Sequence, residues 1–257
     1  MAADPFQPDD AMSQPVRNSR CVINVINPNM TETMTELIAK AAQDCASPST
    51  RIIGRTARFG AASIEGHYDE ALATIGMLKE VAAGDEAGAD AHIIACFGDP
   101  GLLAARELSS APVLGIAEAA MHAASFVATR FSIVTTLSRT KIIAEHLVRN
   151  YGMEHHCRKV RAVDVAVLDL DKPEANVRGI LLGECRDALA HDGIGAIVLG
   201  CAGMADLAHD LSTELGIPVI DGVAAAVRFA EALLGLGLKT SKHGDLAFPL
   251  PKARTPL

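Results

Sequence analysis

Two of the six cysteines in this 257-residue chain stand where a thiol can do chemistry. Cys96 lies in Ala95-Cys96-Phe97-Gly98-Asp99-Pro100-Gly101 and Cys201 in Gly200-Cys201-Ala202-Gly203-Met204. Each closes an apolar run and opens a turn of small residues. A thiol titrates near about 8.5, close enough to neutrality for its surroundings to make it either a proton acceptor or a proton donor. Two such groups on opposite walls of one cleft would take a proton from one face of a carbon and return it to the other, which is the requirement of racemisation. The turns predict help for the charged state. Asp99 reads as a helix N-cap with Pro100 as first helical residue, so each cysteine is expected beside a helix start whose positive end favours thiolate. The backbone N–H groups of Phe97, Gly98, Ala202 and Gly203 are candidates to hold an oxyanion. A lone cysteine in an apolar strand is ordinarily a small buried hydrophobe. Cys21, Cys45, Cys157 and Cys185 are read that way, and no Cys-x-x-Cys pair argues for zinc or disulfides.

The case for Cys96 and Cys201 rests on an internal duplication. IIACFGDPGLLAARELSSAPVLGIAEAAMHAASF and IVLGCAGMADLAHDLSTELGIPVIDGVAAAVRFA both run through an apolar strand, a cysteine, a turn, an amphipathic helix, a proline, a second strand and an Ala-rich helix. Cys96 precedes Pro112 by 16 residues and Cys201 precedes Pro218 by 17. A weaker match pairs VINPNMTETMTEL with IVTTLSRTKIIAEHL. Short Val/Ile-rich runs near 21–27, 51–55, 92–96, 112–116, 131–136, 159–164, 196–200 and 217–220 predict strands. Between them, helices are predicted over 30–46, 67–84, 101–109, 117–129, 138–151, 174–192, 204–215 and 222–237. The expected fold is α/β, with two pseudo-symmetric halves, each a mostly parallel sheet flanked by helices, and the site in the cleft between them. Residues 1–20 read as an N-terminal extension, 21–125 plus a C-terminal segment as the first half, 126–237 as the second, and 238–257 as a tail.

Other polar residues fall at the strand ends that such a cleft would use. Asn27 and Asn29 follow the first strand, where an amide can bond a ligand or simply shape the turn around Pro28. Thr135 and Thr136 hold the matching place in the second half. Ser63, Ile64 and Glu65 lie in a long loop that could form a wall of the site. His155, His156 and Cys157 are adjacent and lack further ligands at metal-site spacing, so no metal is expected there. The glycine-rich turns match neither dinucleotide nor P-loop patterns.

Composition narrows the partner. A formal net charge of -8, with no compensating basic cluster, excludes the nucleic-acid class and leaves a small molecule. No apolar stretch is long enough to span a bilayer, and the polar, Pro-rich first twenty residues lack the apolar centre of an export signal. No membrane association and a cytoplasmic location are the expectation.

The cysteine segments, together with Asn27-Pro28-Asn29, resemble the Asp/Glu/hydantoin racemase superfamily over nearly all of residues 21–252. Ser63-Ile64-Glu65-Gly66-His67 and Thr240-Ser241-Lys242-His243-Gly244-Asp245-Leu246-Ala247-Phe248-Pro249 look like its allantoin racemase branch. The resemblance implies a homo-oligomeric enzyme that uses no cofactor, neither pyridoxal phosphate nor metal, with Cys96 and Cys201 as its acid/base pair. Amino-acid racemases of the superfamily often carry Thr after each catalytic cysteine, whereas Phe97 and Ala202 stand here. That departure disfavours a dicarboxylic amino acid and points to a neutral cyclic ureide, allantoin or a 5-substituted hydantoin. Two rivals stay open: a decarboxylase or cis-trans isomerase needing one thiol, and a non-catalytic ureide-binding protein.

Overall fold

The computed structural model describes residues 21–170, 172 and 176–253. The predicted N-terminal extension, 1–20, and the last four residues of the tail lie outside the described residues. Two four-stranded, wholly parallel sheets form the frame. The first contains β1 (Cys21–Asn27), β2 (Thr50–Thr56), β3 (Ala91–Ile94) and β4 (Val113–Gly115), in the order β2-β1-β3-β4. The second contains β5 (Phe131–Thr135), β6 (Cys157–Ala162), β7 (Ala196–Gly200) and β8 (Val219–Ile220), in the order β6-β5-β7-β8. Strand for strand the second order repeats the first. The inner strands are mostly apolar because helices cover both faces, the usual condition of a parallel sheet; β3, β5 and β7 are buried along their whole length, His92, Ser132 and Thr135 included.

Among the described residues eight α-helices complete the layers: α1 (Glu32–Cys45), α2 (His67–Glu86), α3 (Leu102–Leu108), α4 (Ile116–Val127), α5 (Lys141–Asn150), α6 (Val177–His191), α7 (Ala208–Leu215) and α8 (Gly222–Gly235). One face of the first sheet is closed by α2 and α3 through Met77, Val81, Leu102 and Ala105. Its other face meets α1, through Ile38 and Ala42, and α8, through Val223, Val227 and Ala230. The second sheet is closed by α6 and α7 on one side. On its other side lie α5, through Leu147 and Val148, and α4, through Ala120, Met121 and Ala124. The two sheets therefore exchange covers: α4 leaves the first sheet to cap the second, and α8 returns from the second to cap the first. The expected helix over 204–215 is divided, with a 3-10 turn at Ala202–Leu207 before α7. Among the described residues, no helix is long and apolar enough to cross a membrane.

Candidate active site

With strand order 2-1-3-4, the chain leaves β1 and β3 in opposite directions, and a crevice opens past their C-terminal ends. The same holds at β5 and β7. Residues from all four ends line one cavity of about 60 Å³: Asn29 after β1, Ala95 to Gly98 after β3, Thr135 and Thr136 at β5, and Gly200 to Ala202 at β7. Cys96 and Cys201 are both in its wall, and a thiolate at Cys201 disfavours ionisation of Cys96. Ile64 joins them from the loop before α2. Of the other sequence candidates, Ser63, Glu65 and Gly203 are not part of the lining.

Glu65 has a definite task there. Its Oε1 accepts the N–H of Val167, 102 positions away, at 2.9 Å, and Val167 is part of the cavity wall. The loop before α2 is thus tied to the segment after β6, closing the cleft from the side. Glu65 also adds negative potential that disfavours ionisation of Cys201.

The polar groups differ in how much of their bonding capacity is already used. Asn27 is buried, and its amide N–H groups go to Asn29 Oδ1 (2.8 Å), Thr35 Oγ1 (3.0 Å) and the Thr31 carbonyl (3.2 Å), so it shapes the turn. Asn29 is held by that turn: its Oδ1 takes N–H bonds from Asn27 and Thr31, which leaves its own amide nitrogen with only Met34 Sδ, at 3.1 Å. It therefore presents donors to the cavity. Thr135 gives its hydroxyl to the Gly200 carbonyl at 3.1 Å. Thr136 is equally buried and its hydroxyl has no partner among the described residues.

Two expectations about the thiols are corrected. Cys96 does not sit at a helix start: α3 begins only at Leu102, its N-cap is Gly101, and no side chain caps it. Cys201, by contrast, does stand at a helix start, as the N-cap of the 3-10 turn Ala202–Leu207 that runs on into α7. The thiols are also not drawn toward neutrality. Burial pushes Cys201 up to about 11 and pushes Cys96 higher still, with Cys201 and Glu70 adding to the rise. The N–H groups of Gly98 and Gly203 oppose this by bonding the sulfurs of Cys96 and Cys201 respectively. Those two donors therefore serve the thiols, while Phe97 and Ala202 line the cavity.

Asp99 has a different role from the predicted one. Its backbone is left-handed, φ 44°, and its carboxylate accepts the N–H groups of Ala117 (3.0 Å) and Glu118 (2.9 Å) at the start of α4, and the Tyr151 hydroxyl (2.7 Å). It caps α4 from a distance. Gly115, the residue before α4, has no Cβ because the Asp99 carboxylate fills that space.

The sequence reading missed Met34, Glu70, Thr140, Ile143, Ala144 and Val167 in the cavity wall. Met34, Glu70, Ile143 and Ala144 lie in the opening turns of α1, α2 and α5. Helix-opening turns that follow strand ends were the available signal. Glu70 is the one charged side chain in the lining; no Lys, Arg or His is among those residues.

Comparison with known proteins identifies the family. The profile of the Asp/Glu/hydantoin racemase family matches residues 23–230. A hydantoin racemase of Rhizobium meliloti is 48% identical over 231 residues, 90% of this chain and 96% of that protein. Among solved structures, an allantoin racemase from Klebsiella pneumoniae superposes with a TM-score of 0.90 at 57% identity, covering 92% of this chain and 96% of the other. An allantoin racemase from Pseudomonas fluorescens gives 0.88 at 40% identity, covering 91% and 100%. The chain therefore belongs to the Asp/Glu/hydantoin racemase family of isomerases.

Proposed function

We propose that the protein racemises a neutral cyclic ureide, allantoin in the first place, by proton transfer between Cys96 and Cys201 and without a cofactor. The observation that carries this is the convergence of the two cysteines, from equivalent strand ends of two repeated sheets, on one cavity. One thiolate removes the proton from the ring carbon between a nitrogen and a carbonyl. The electron pair passes into the carbonyl, giving a planar enolate whose oxygen is taken by the N–H groups of Phe97 and Ala202. The opposite thiol protonates the other face and becomes the thiolate; reversed roles serve the other enantiomer. The absence of a cationic lining residue supports a neutral substrate over an amino dicarboxylate, which calls for Arg or Lys around its carboxylates.

The likeness to allantoin racemases supports allantoin. A second reading, 5-substituted hydantoins, draws on the apolar Met34, Ile143 and Val167 in the wall, which suit a hydrocarbon substituent. Incubation with single enantiomers of allantoin and of 5-benzylhydantoin, followed by polarimetry and by deuterium uptake from D2O, decides between them. Cys96→Ser and Cys201→Ser are each expected to lower racemisation by about 100-fold or more. Wild-type racemisation in either variant overturns the two-thiol scheme.

A further inference from the structure

Glu70 is out of place in a cavity otherwise built of thiols, hydroxyls, an amide and apolar groups. It opens α2, its side chain is 20% exposed, and its carboxylate lies over the turn that carries Cys96. A Cβ added at Gly98 would fall 2.5 Å from Glu70 Oε1, so the glycine is the space into which the carboxylate leans. Its ion-pair partner is His67, at 3.6 Å on the same helix, and His67 in turn stacks on His146 of α5 with ring centroids 6.4 Å apart. One exposed imidazole occupies little of a carboxylate's capacity to accept about four hydrogen bonds. The catalytic scheme has no use for Glu70: it disfavours ionisation of Cys96, a cost that a proton-transfer site would shed unless the carboxylate served the ligand.

We propose that Glu70 is a specificity-determining residue that accepts an N–H of the bound ureide and, as the lone charge in the lining, excludes ligands bearing a carboxylate. The amide in the same wall fits the assignment, since Asn29 has donor capacity for a ligand carbonyl while Glu70 would accept from a ligand nitrogen. A ureide carries both kinds of group side by side. This inference rests on the ureide reading above.

The test compares wild type, Glu70→Gln and Glu70→Asp on allantoin and on four hydantoins: 5-benzylhydantoin, its N1-methyl and N3-methyl derivatives, and a hydantoin bearing a 5-carboxyethyl group. Wild type is expected to reject one N-methyl derivative and the carboxyethyl compound relative to the parent. In Glu70→Gln, KM for allantoin and for the parent hydantoin, whichever wild type turns over, should rise about tenfold or more with a smaller change in kcat, as for loss of a charged acceptor. The N-methyl discrimination should shrink by a similar factor, and the carboxyethyl compound should gain in relative kcat/KM. Glu70→Asp, which keeps the charge, should still reject the carboxyethyl compound, and it carries the test if the Gln variant fails to fold. A folded Glu70→Gln with wild-type KM and wild-type selectivity overturns the inference, as does an Asp variant that accepts the carboxyethyl compound as well as the parent. Wild type that turns over neither the hydantoins nor allantoin overturns the ureide reading, and this inference with it, so the wild-type arm tells the two failures apart.

Discussion

At Cys96 and Cys201 desolvation works against the N–H groups of Gly98 and Gly203, and in the unliganded cleft desolvation prevails, leaving both thiols above their ordinary range. The consequence for rate has a definite sign. A base with a raised pKa is mostly protonated at neutrality, and each pH unit below that pKa leaves about tenfold less thiolate. Since kcat/KM follows the ionisation of free enzyme, it should climb with pH from 6.5 to 9 with a slope approaching about one log unit per pH unit. Initial racemisation rates on a fixed substrate check this, and a flat profile across that interval contradicts it. Gly98→Ala makes a second prediction at the same scale. Its Cβ displaces the Glu70 carboxylate, so kcat/KM should fall about tenfold or more, in keeping with the sensitivity of sites to displacements near 1 Å, while thermal unfolding moves little. The two cysteines were legible in the sequence because the duplication marks them. Glu70 and Met34 were not, because a first-turn helix residue has no periodic signature that separates a cavity wall from a solvated face.

The two Ala-rich helices that close each repeated segment, α4 and α8, are capped by the same chemistry from different places. In α8 the N-cap Asp221 accepts the N–H groups of Val223 (3.0 Å) and Ala224 (2.8 Å) in the ordinary local manner. At the matching position before α4 stands Gly115, and the carboxylate comes instead from Asp99, sixteen residues earlier in the turn after Cys96. That substitution links the thiol-bearing turn to α4, and through the Tyr151 hydroxyl to the end of α5. Burial raises Asp99 to about 7, yet its N–H donors and Tyr151 favour the charged form. Tyr151→Phe removes one bond to a buried charged acceptor and should cost about 1 to 3 kcal/mol of stability. Asp99→Ala orphans two N–H groups and loses the cap, so it should cost more and should also lower kcat as the Cys96 turn loosens. Denaturant titration and single-substrate kinetics measure both. An Asp99→Ala variant with wild-type stability removes this account. Local reading assigned Asp99 to the helix that follows it, the right chemistry on the wrong helix, because a cap reached through tertiary packing leaves no mark in the spacing of nearby residues. The strands were recovered to within a few residues for the same reason in reverse: their signal is local, clearest in the buried Val- and Ile-rich inner strands.

Across the whole molecule, the exchange of α4 and α8 decides how the two sheets depend on each other. Apolar alternation in the sequence announces eight strands and their helices, and the duplication announces two similar sets. Neither states which helix covers which sheet, because an Ala-rich helix with Met121 and Ala124 on one face packs equally well on any apolar sheet. In the folded chain, Met121 and Ala124 of α4 meet Phe131 and Val198 of the second sheet, while Val227 and Ala230 of α8 meet Ile23 and Ile93 of the first. Each sheet thus owes one of its covers to the other's sequence, and the cavity between them is held by the same exchange. A molecule with two sheets could unfold in two steps, but here loss of either sheet strips the other of a helix. We expect one calorimetric transition, with calorimetric and van't Hoff enthalpies in agreement. We also expect that a chain of residues 21–129 made alone binds a dye specific for exposed apolar surface and lacks cooperative melting, since the first sheet then has no α8 and α4 has no second sheet. Mixing it with residues 130–257 should restore a cooperative melt. Two resolved transitions in the intact chain, or a cooperatively folded 21–129 fragment, would show that the exchanged helices do not couple the halves.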